Sequence, residues 1–226
     1  MENSENWNKF IGNKIPSSIE TQSIIYEFIK KDDRIIDIGC GFGKTVFDLY
    51  KKGYVNIYGI DSNKSGIEFA NLKNKQLKLN PKPKFKITNV LHLPYQNSVF
   101  DCGITQAFWT TIVTTKERLK IIKKINRIIK QNGILYIADF KKNYHLPMYK
   151  KRYQDGIKKG YENGTFEVIN KKTKKFEYLA HHYTKKELFS FIKWGGFSKV
   201  EYYKNKIFTT RSGNKICGCV IIARKT

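Results

Sequence analysis

The sequence lacks any long apolar run. None of its 226 residues lies in an uncharged apolar stretch of the roughly 18 residues that a membrane-crossing helix requires. The first five residues are polar and acidic rather than basic and then apolar, so no secretory signal peptide is expected. We therefore expect a cytoplasmic protein without a membrane partner.

Cysteine is also scarce, and its spacing does not favour a metal site. The four cysteines are scattered along the chain, with no Cys-x-x-Cys pair and no histidine at metal-ligand spacing. Cys217 and Cys219 alternate on one face of a predicted strand, where small buried hydrophobic side chains are the expected role. No metal is predicted.

Arginine is rare among the basic residues. The net charge is +24, but only six of the 43 Lys and Arg residues are arginine. Clustered cations attract nucleic acid, but arginine suits this role better than lysine, because its guanidinium can donate two parallel hydrogen bonds to a phosphate or a base. The lysine excess accompanies many Asn, Ile, Tyr and Phe residues, which suggests the coding bias of an AT-rich genome. We therefore favour solvated lysines, with a nucleic-acid partner as the alternative.

Strand and helix patterns alternate along most of the chain, and 40% apolar content is enough for one substantial core. This alternation predicts an α/β fold with a mainly parallel sheet and helices on both faces. Ser17 or Ser18 is expected to cap a helix in the N-terminal region 1–30. Residues 141–183 interrupt this alternation of strands and helices and contain a predicted hairpin. They are expected to form an inserted substrate-facing lid. The predicted strands are 34–38, 54–60, 85–88, 99–108, 133–140, 197–203 and 216–223.

A glycine turn joins the first predicted strand to the next helix. The turn reads Asp37-Ile-Gly39-Cys40-Gly41-Phe-Gly43, and Asp61 ends the second strand. A phosphate loop would need glycine at position 38, and a dinucleotide fingerprint would need glycine at position 44. Neither is present, so the remaining pattern is Asp-x-Gly-x-Gly-x-Gly, with three glycines that favour close approach of a ligand.

This pattern resembles the first motif of class I S-adenosylmethionine-dependent methyltransferases. The segment 128–135 is similar to the turn before the fifth strand in the subgroup that contains ubiquinone and menaquinone methyltransferases. Together the motifs cover about residues 34–140, with Asn89 and Asn132 as departures from the family pattern. The resemblance implies a Rossmann-like three-layer sandwich, a mostly parallel seven-stranded sheet with an antiparallel last strand, and S-adenosyl-L-methionine as cofactor.

The resemblance also implies a set of cofactor-binding residues. Asp61 is expected to accept hydrogen bonds from the two ribose hydroxyls, and Asp37 is expected near the sulfonium charge. Asn89 would present a neutral amide oxygen to the adenine where the family often has an acid. The full expected set is Asp37, Gly39, Cys40, Gly41, Gly43, Asp61, Ser62, Asn89, Val90, Leu91 and Gln106.

The acceptor is less well specified than the cofactor. We expect methyl transfer to a small molecule held between the glycine turn and the lid, by a monomer or homodimer. Tyr144, His145, His181 and His182 are the candidates for catalysis, because a histidine can remove a proton from an attacking group. Trp7 and Phe10 could cover the site. The alternatives are a methyltransferase acting on tRNA or rRNA, and a non-catalytic protein that kept the fold.

Overall fold

The computed structural model describes residues 2–14, 19–170 and 172–226. Seven strands form one sheet, and two more form a separate hairpin. The sheet strands are β1 (Ile35–Ile38), β2 (Ile57–Asp61), β3 (Lys84–Ile87), β4 (Phe100–Gln106), β5 (Ile129–Phe140), β8 (Lys199–Thr209) and β9 (Lys215–Arg224). The hairpin consists of β6 (Thr165–Ile169) and β7 (Phe176–His181).

The sheet order is β3-β2-β1-β4-β5-β9-β8, and the first five of these strands are parallel. Strand β9 runs antiparallel to both neighbours, with Ile137 opposite Ile221. The short connection from Thr209 to Lys215 leaves no room for a crossover helix, which forces this direction. The predicted seven-stranded sheet with an antiparallel last strand is therefore confirmed.

Six α-helices flank the sheet and the hairpin in the described part of the chain. They are α1 (Glu2–Trp7), α2 (Lys44–Lys51), α3 (Lys64–Gln76), α4 (Thr115–Ile128), α5 (Pro147–Lys158) and α6 (Lys185–Trp194). Short 3-10 turns occupy Gly12–Lys14, Ser23–Glu27, Val90–His92 and Trp109–Thr111. Thr184 caps the start of α6 and forms a capping box with Glu187.

The core lies on both faces of the sheet. Ile35 and Tyr136 project to one face with Leu49 of α2, and Ile36 and Leu135 project to the other with Ile125 of α4. Alternate residues of a strand point to opposite faces, so strands covered on both sides must be apolar throughout. All four residues of β1 are buried, including Asp37. The three-layer sandwich is confirmed.

The N-terminal region differs from the predicted helix. The cap residues Ser17 and Ser18 lie outside the described residues, and Ser23–Glu27 forms a 3-10 turn instead of a long α-helix. Gln22 donates its backbone N–H to the Tyr136 hydroxyl at 3.1 Å, and Thr21 bonds to Gln106 at 3.1 Å. These contacts with the sheet replace helical hydrogen bonds, so tertiary structure outweighs the local helical pattern here.

The segment 141–183 is more regular than its sequence suggested. It contains the predicted hairpin, and it also contains α5, which the sequence analysis missed. The two ends of the segment meet: Lys142 donates its N–H to the Tyr183 carbonyl at 2.8 Å, and Tyr183 donates its own to Phe140 at 3.2 Å. The buried Arg118 at the start of α4 forms an ion pair with Glu162 and ties the segment to the main body.

Candidate functional site

A cavity of about 610 Å³ lies at the carboxyl ends of β1, β2 and β4. The glycine turn forms its floor at one end. The N-terminal segment and the β6–β7 hairpin close over it, and α5 contributes to the far wall. Ligands of open parallel sheets bind at this edge, because the loops after neighbouring strands diverge there. Of the expected cofactor-binding residues, all except Gly43 line the cavity.

The glycine turn is shaped by positive backbone angles. Gly39, Gly41 and Gly43 have φ of 77°, 55° and 82°, a region that other residues rarely adopt. A Cβ on Gly39 would lie 2.7 Å from the Phe108 ring, and one on Gly43 would lie 2.8 Å from the Phe85 ring. Packing against two phenylalanines therefore accounts for these two glycines directly, in addition to the ligand approach that the sequence analysis emphasised.

Asp61 holds the turn and still has capacity to bind a ligand. Its Oδ2 accepts the Gly41 N–H at 2.8 Å, and its Oδ1 accepts the Asn63 N–H at 2.8 Å. Burial raises the pKa of Asp61, while the backbone N–H donors oppose that rise. The backbone N–H of Ser62 is a third donor to this carboxylate. A carboxylate offers about four lone-pair sites, so about one acceptor site is left for a ligand hydroxyl.

Asp37 is a buried carboxyl of the site whose ionised form is disfavoured. Its side chain is 2% exposed at the end of β1 and borders the cavity. Burial raises its pKa to about 8, and the nearby charge of Asp61 adds to the rise. The ionised form is costly where no cation faces it. A positively charged ligand in the cavity would offset that cost.

Gln106 provides a buried donor at the carboxyl end of β4. Its Oε1 accepts from the Thr45 hydroxyl at 2.6 Å and from the Thr21 hydroxyl at 3.1 Å. Its Nε2 is buried and has no partner among the described residues. Unsatisfied buried donors are rare because they cost free energy. This amide suits an anionic group of a ligand, so the residues fit the carboxylate of the expected cofactor.

The expected adenine loop begins a 3-10 turn. Asn89 lies just before Val90–His92, and its Oδ1 accepts the Leu91 N–H at 2.9 Å. The oxygen expected to face the adenine amine therefore already caps this turn, although it can accept a second hydrogen bond. Val90 and Leu91 line the cavity, whereas His92 is exposed.

The N-terminal segment is fastened over the cavity by Asn63. The Asn63 amide donates to the carbonyls of Trp7 and Phe10 at 2.8 and 3.0 Å, while its Oδ1 caps α3 by accepting the Gly66 N–H at 2.9 Å. The Trp7 ring packs against Tyr178 of the hairpin in a tilted arrangement, with centroids 4.4 Å apart. The cover thus joins the N-terminal segment to the hairpin.

The four candidate catalytic residues are dispersed. Tyr144 is 44% exposed and donates to Asn163 at 2.6 Å, and His145 is also exposed. Neither lines the cavity. His181 is buried away from the cavity, with its Nδ1 2.7 Å from the Thr165 hydroxyl. Of the four, the structure brings only His182 to the cavity wall.

His182 is held in a neutral form. Burial lowers its pKa to about 3, and the charge of Arg152 adds to this effect. The Tyr153 hydroxyl accepts the Asn143 N–H at 3.1 Å and lies 2.8 Å from His182 Nδ1. Among the described residues, Nδ1 is the acceptor in reach of the phenolic hydrogen, so the hydrogen-bond network assigns that hydrogen to Nδ1 and the ring hydrogen to Nε2. His182 is therefore suited to donating a hydrogen bond, and it is a poor base.

Three residues of this site were missed by the sequence analysis: Asn63, Arg152 and Tyr178. Asn63 directly precedes a predicted helix, which is a typical cap position and was a usable signal. Arg152 is one of six arginines, and its rarity could have marked it. Tyr178 gave no local signal, because its role depends on how the hairpin folds over Trp7.

The described part of the chain contains no group of three or more His, Cys, Asp or Glu side chains suited to a metal. None of its helices has the length and apolarity needed to cross a membrane.

Comparisons with known proteins identify the family. The sequence model of a family described as a methyltransferase domain matches residues 29–196. The structure is similar to the crystal structure of a SAM-dependent methyltransferase from Methanosarcina mazei. The two have 39% sequence identity and a TM-score of 0.85, over 92% of this chain and 99% of that chain.

Two relatives with assigned names are more distant. A ubiquinone/menaquinone biosynthesis C-methyltransferase from Haemophilus ducreyi is 25% identical over 77% of this chain and 68% of that protein. A 27-O-demethylrifamycin SV methyltransferase from Amycolatopsis mediterranei is 25% identical over 50% of this chain and 40% of that protein. In several matching relatives, the aligned part spans only 37% to 60% of the relative's own length.

Proposed function

This chain belongs to the class I S-adenosylmethionine-dependent methyltransferases, and we propose that the acceptor of its methyl group is a small molecule. The observation that carries the proposal is the covered cavity. Trp7 and Tyr178 close over it, and side chains of β5, α5 and the hairpin line its far end. A volume of about 610 Å³ is in the range of small-molecule sites. The names of the two relatives above also refer to small-molecule acceptors.

We assign the glycine-turn end of the cavity to the cofactor. Asp61 binds a ribose hydroxyl, Gln106 Nε2 donates to the amino-acid carboxylate, and Asp37 faces the sulfonium. Val90 and Leu91 form an apolar wall for the adenine. Region 1–30 and the segment 141–183 then act as the two halves of the cover, within one methyltransferase domain.

The bound cofactor supplies a methyl group on positively charged sulfur, which makes it electrophilic. The chain's own contribution is to hold the acceptor in line and to exclude water. The Trp7–Tyr178 contact and the aromatic residues that line the cavity, Phe140, Tyr149 and Phe166, exclude water. His182 positions the acceptor by donating a hydrogen bond from Nε2. No histidine of this chain is assigned as a general base, since His182 stays neutral and its Nδ1 is already engaged with Tyr153.

The test uses S-adenosylmethionine labelled in its methyl group. The protein is incubated with a cell extract, which is then separated into RNA, protein and small-molecule fractions. Label in the small-molecule fraction is expected with the native protein and not with Asp61→Ala. Label confined to RNA would overturn the proposal and would favour the nucleic-acid alternative suggested by the net charge of +24.

A further inference from the structure

The end of the cavity farthest from the glycine turn is surrounded by aromatic rings. Centroids of Phe140, Tyr149 and Phe166 lie 5.5, 5.3 and 4.9 Å from the His182 ring. All four side chains are buried and line the cavity. Such a wall favours a flat apolar ligand body, because aromatic rings pack in stacked or edge-on arrangements at these distances.

A guanidinium group lies among these rings. Arg152 of α5 is partly buried, and its Cζ lies 5.2 Å from the Tyr149 ring centroid and 5.6 Å from that of Phe166. Both rings hold it against the cavity wall through cation–π contact. The positive charge of Arg152 affects the ionisation of Tyr149: burial raises the pKa of Tyr149, and Arg152 opposes that rise.

The carboxylates that line the same part of the cavity are engaged elsewhere. Glu177 forms an ion pair with Arg211 at 3.1 Å and accepts from the Asn170 amide at 2.8 Å. Glu117 accepts from the Thr114 hydroxyl at 3.0 Å at the start of α4. Among the side chains that the structure describes, Arg152 has no carboxylate within ion-pair distance.

We propose that the methyl acceptor carries a carboxylate on an apolar body and that Arg152 binds this carboxylate. The inference rests on the proposed function, since it names the acceptor class for the same cavity. A guanidinium donates two parallel hydrogen bonds to one carboxylate, which gives both affinity and orientation. A cation partly buried beside aromatic rings loses part of its hydration, and an anionic acceptor offsets that loss.

A carboxylate fits this end better than a phosphate. Arg152 supplies one positive charge, Arg211 is neutralised by Glu177, and His182 is neutral. Two lysines also line the cavity: Lys172 is exposed, and Lys44 follows the glycine turn and pairs with Glu20 and Asp48 at 3.4 and 3.8 Å. Arg152 is the cation that contacts the Tyr149 and Phe166 rings, so a singly charged carboxylate is compensated there, whereas a doubly charged phosphate would leave net negative charge among the rings.

The test measures binding of three matched probes to the protein saturated with S-adenosylhomocysteine, by calorimetry. The probes are 2-naphthoate, 2-naphthamide and 2-naphthyl phosphate, which share the aromatic body and differ in the polar group. We expect the native protein to bind 2-naphthoate at least tenfold more tightly than either of the others. Arg152→Met should abolish this preference, and Arg152→Lys should retain part of it.

Arg34→Gln is the matched control, because Arg34 is exposed just before β1, at the amino ends of the parallel strands and therefore opposite the cavity. It should keep the full preference for 2-naphthoate. Equal binding of naphthoate and naphthamide, preference for the phosphate, no binding of any probe, or a preference that survives Arg152→Met would each overturn the assignment. Failure of the native protein to bind S-adenosylhomocysteine would count instead against the proposed function.

Discussion

Replacing Asp37 by asparagine should stabilise the protein at neutral pH. The buried Asp37 carboxyl has its pKa raised from 3.8 to about 8, mainly by burial. Between these values the folded protein holds a proton that the unfolded chain has released. Stability is therefore greatest below pH 3.8 as far as this group is concerned, and it falls as the pH rises toward 8.

The size of the effect follows from the difference in pH between 3.8, the ordinary pKa of the carboxyl, and the pH of the measurement. Each pH unit above 3.8 costs about 1.4 kcal/mol, so at pH 7 the native Asp37 lowers the free energy of unfolding by about 4 kcal/mol. The neutral side chain of the Asp37→Asn variant avoids this cost, but its amide hydrogens need acceptors, and an unsatisfied donor costs about 1–3 kcal/mol. We expect a net gain of about 2 kcal/mol at pH 7 and a net loss of about 1–3 kcal/mol near pH 4, where the unsatisfied amide is the main difference.

Urea unfolding between pH 4 and pH 8 measures this difference. Asp48→Asn is the control, because Asp48 lies on α2 with its side chain 44% exposed, and its effect should stay within about 0.5 kcal/mol. The reasoning fails if Asp37→Asn is less stable than the native protein at pH 7, or if the stability difference between them does not grow with pH.

The same substitution should weaken discrimination between the cofactor and its demethylated product. A sulfonium near Asp37 favours the ionised carboxyl, so binding of S-adenosylmethionine should release a proton at pH 7. Calorimetry in two buffers of different ionisation enthalpy detects that proton. Binding of S-adenosylhomocysteine, which carries no positive sulfur, should release less, and Asp37→Asn should release none in either case.

Two further predictions concern the cofactor end of the cavity. Asp61→Ala should weaken binding of both S-adenosylmethionine and S-adenosylhomocysteine by roughly 10- to 100-fold, since charged hydrogen bonds contribute about 1.5–3 kcal/mol; equal affinity in calorimetry would contradict the ribose assignment. Asn63→Asp keeps an oxygen that caps α3 but loses the amide that fastens Trp7 and Phe10. Trypsin should then cleave at Lys9 or Lys14 several times faster at temperatures well below the unfolding transition of the variant, and unchanged cleavage would show that other contacts hold the segment.

Most of the sheet was predictable from the sequence because its signals are local. Strands covered on both faces are continuously apolar, and the short connection before β9 leaves one direction for that strand. The glycine turn and Asp61 were found for the same reason: their residue types and spacing carry the information.

The acceptor end was less predictable because it depends on contacts between distant segments. His182 reaches the cavity wall, whereas His145 does not, although both lie in the same stretch of 43 residues from 141 to 183. Burial and the bond to Tyr153 decide its chemical role, and neither is visible in the residue pattern. The N-terminal helix prediction failed because hydrogen bonds from Thr21 and Gln22 to the sheet outweigh helical periodicity.

The two ends of segment 141–183 lie side by side, joined by the backbone hydrogen bonds of Lys142, Tyr183 and Phe140. The segment can therefore be exchanged as a unit in protein engineering. It leaves and rejoins the sheet at one point, so its length and composition can vary without shifting the register of β5 or β9. Arg152 and the aromatic residues around His182 lie within this segment or directly before it, whereas Asp61 and the glycine turn lie outside it. Exchange of segment 141–183 between related enzymes is therefore a route to new acceptors that leaves the methyl donor unchanged.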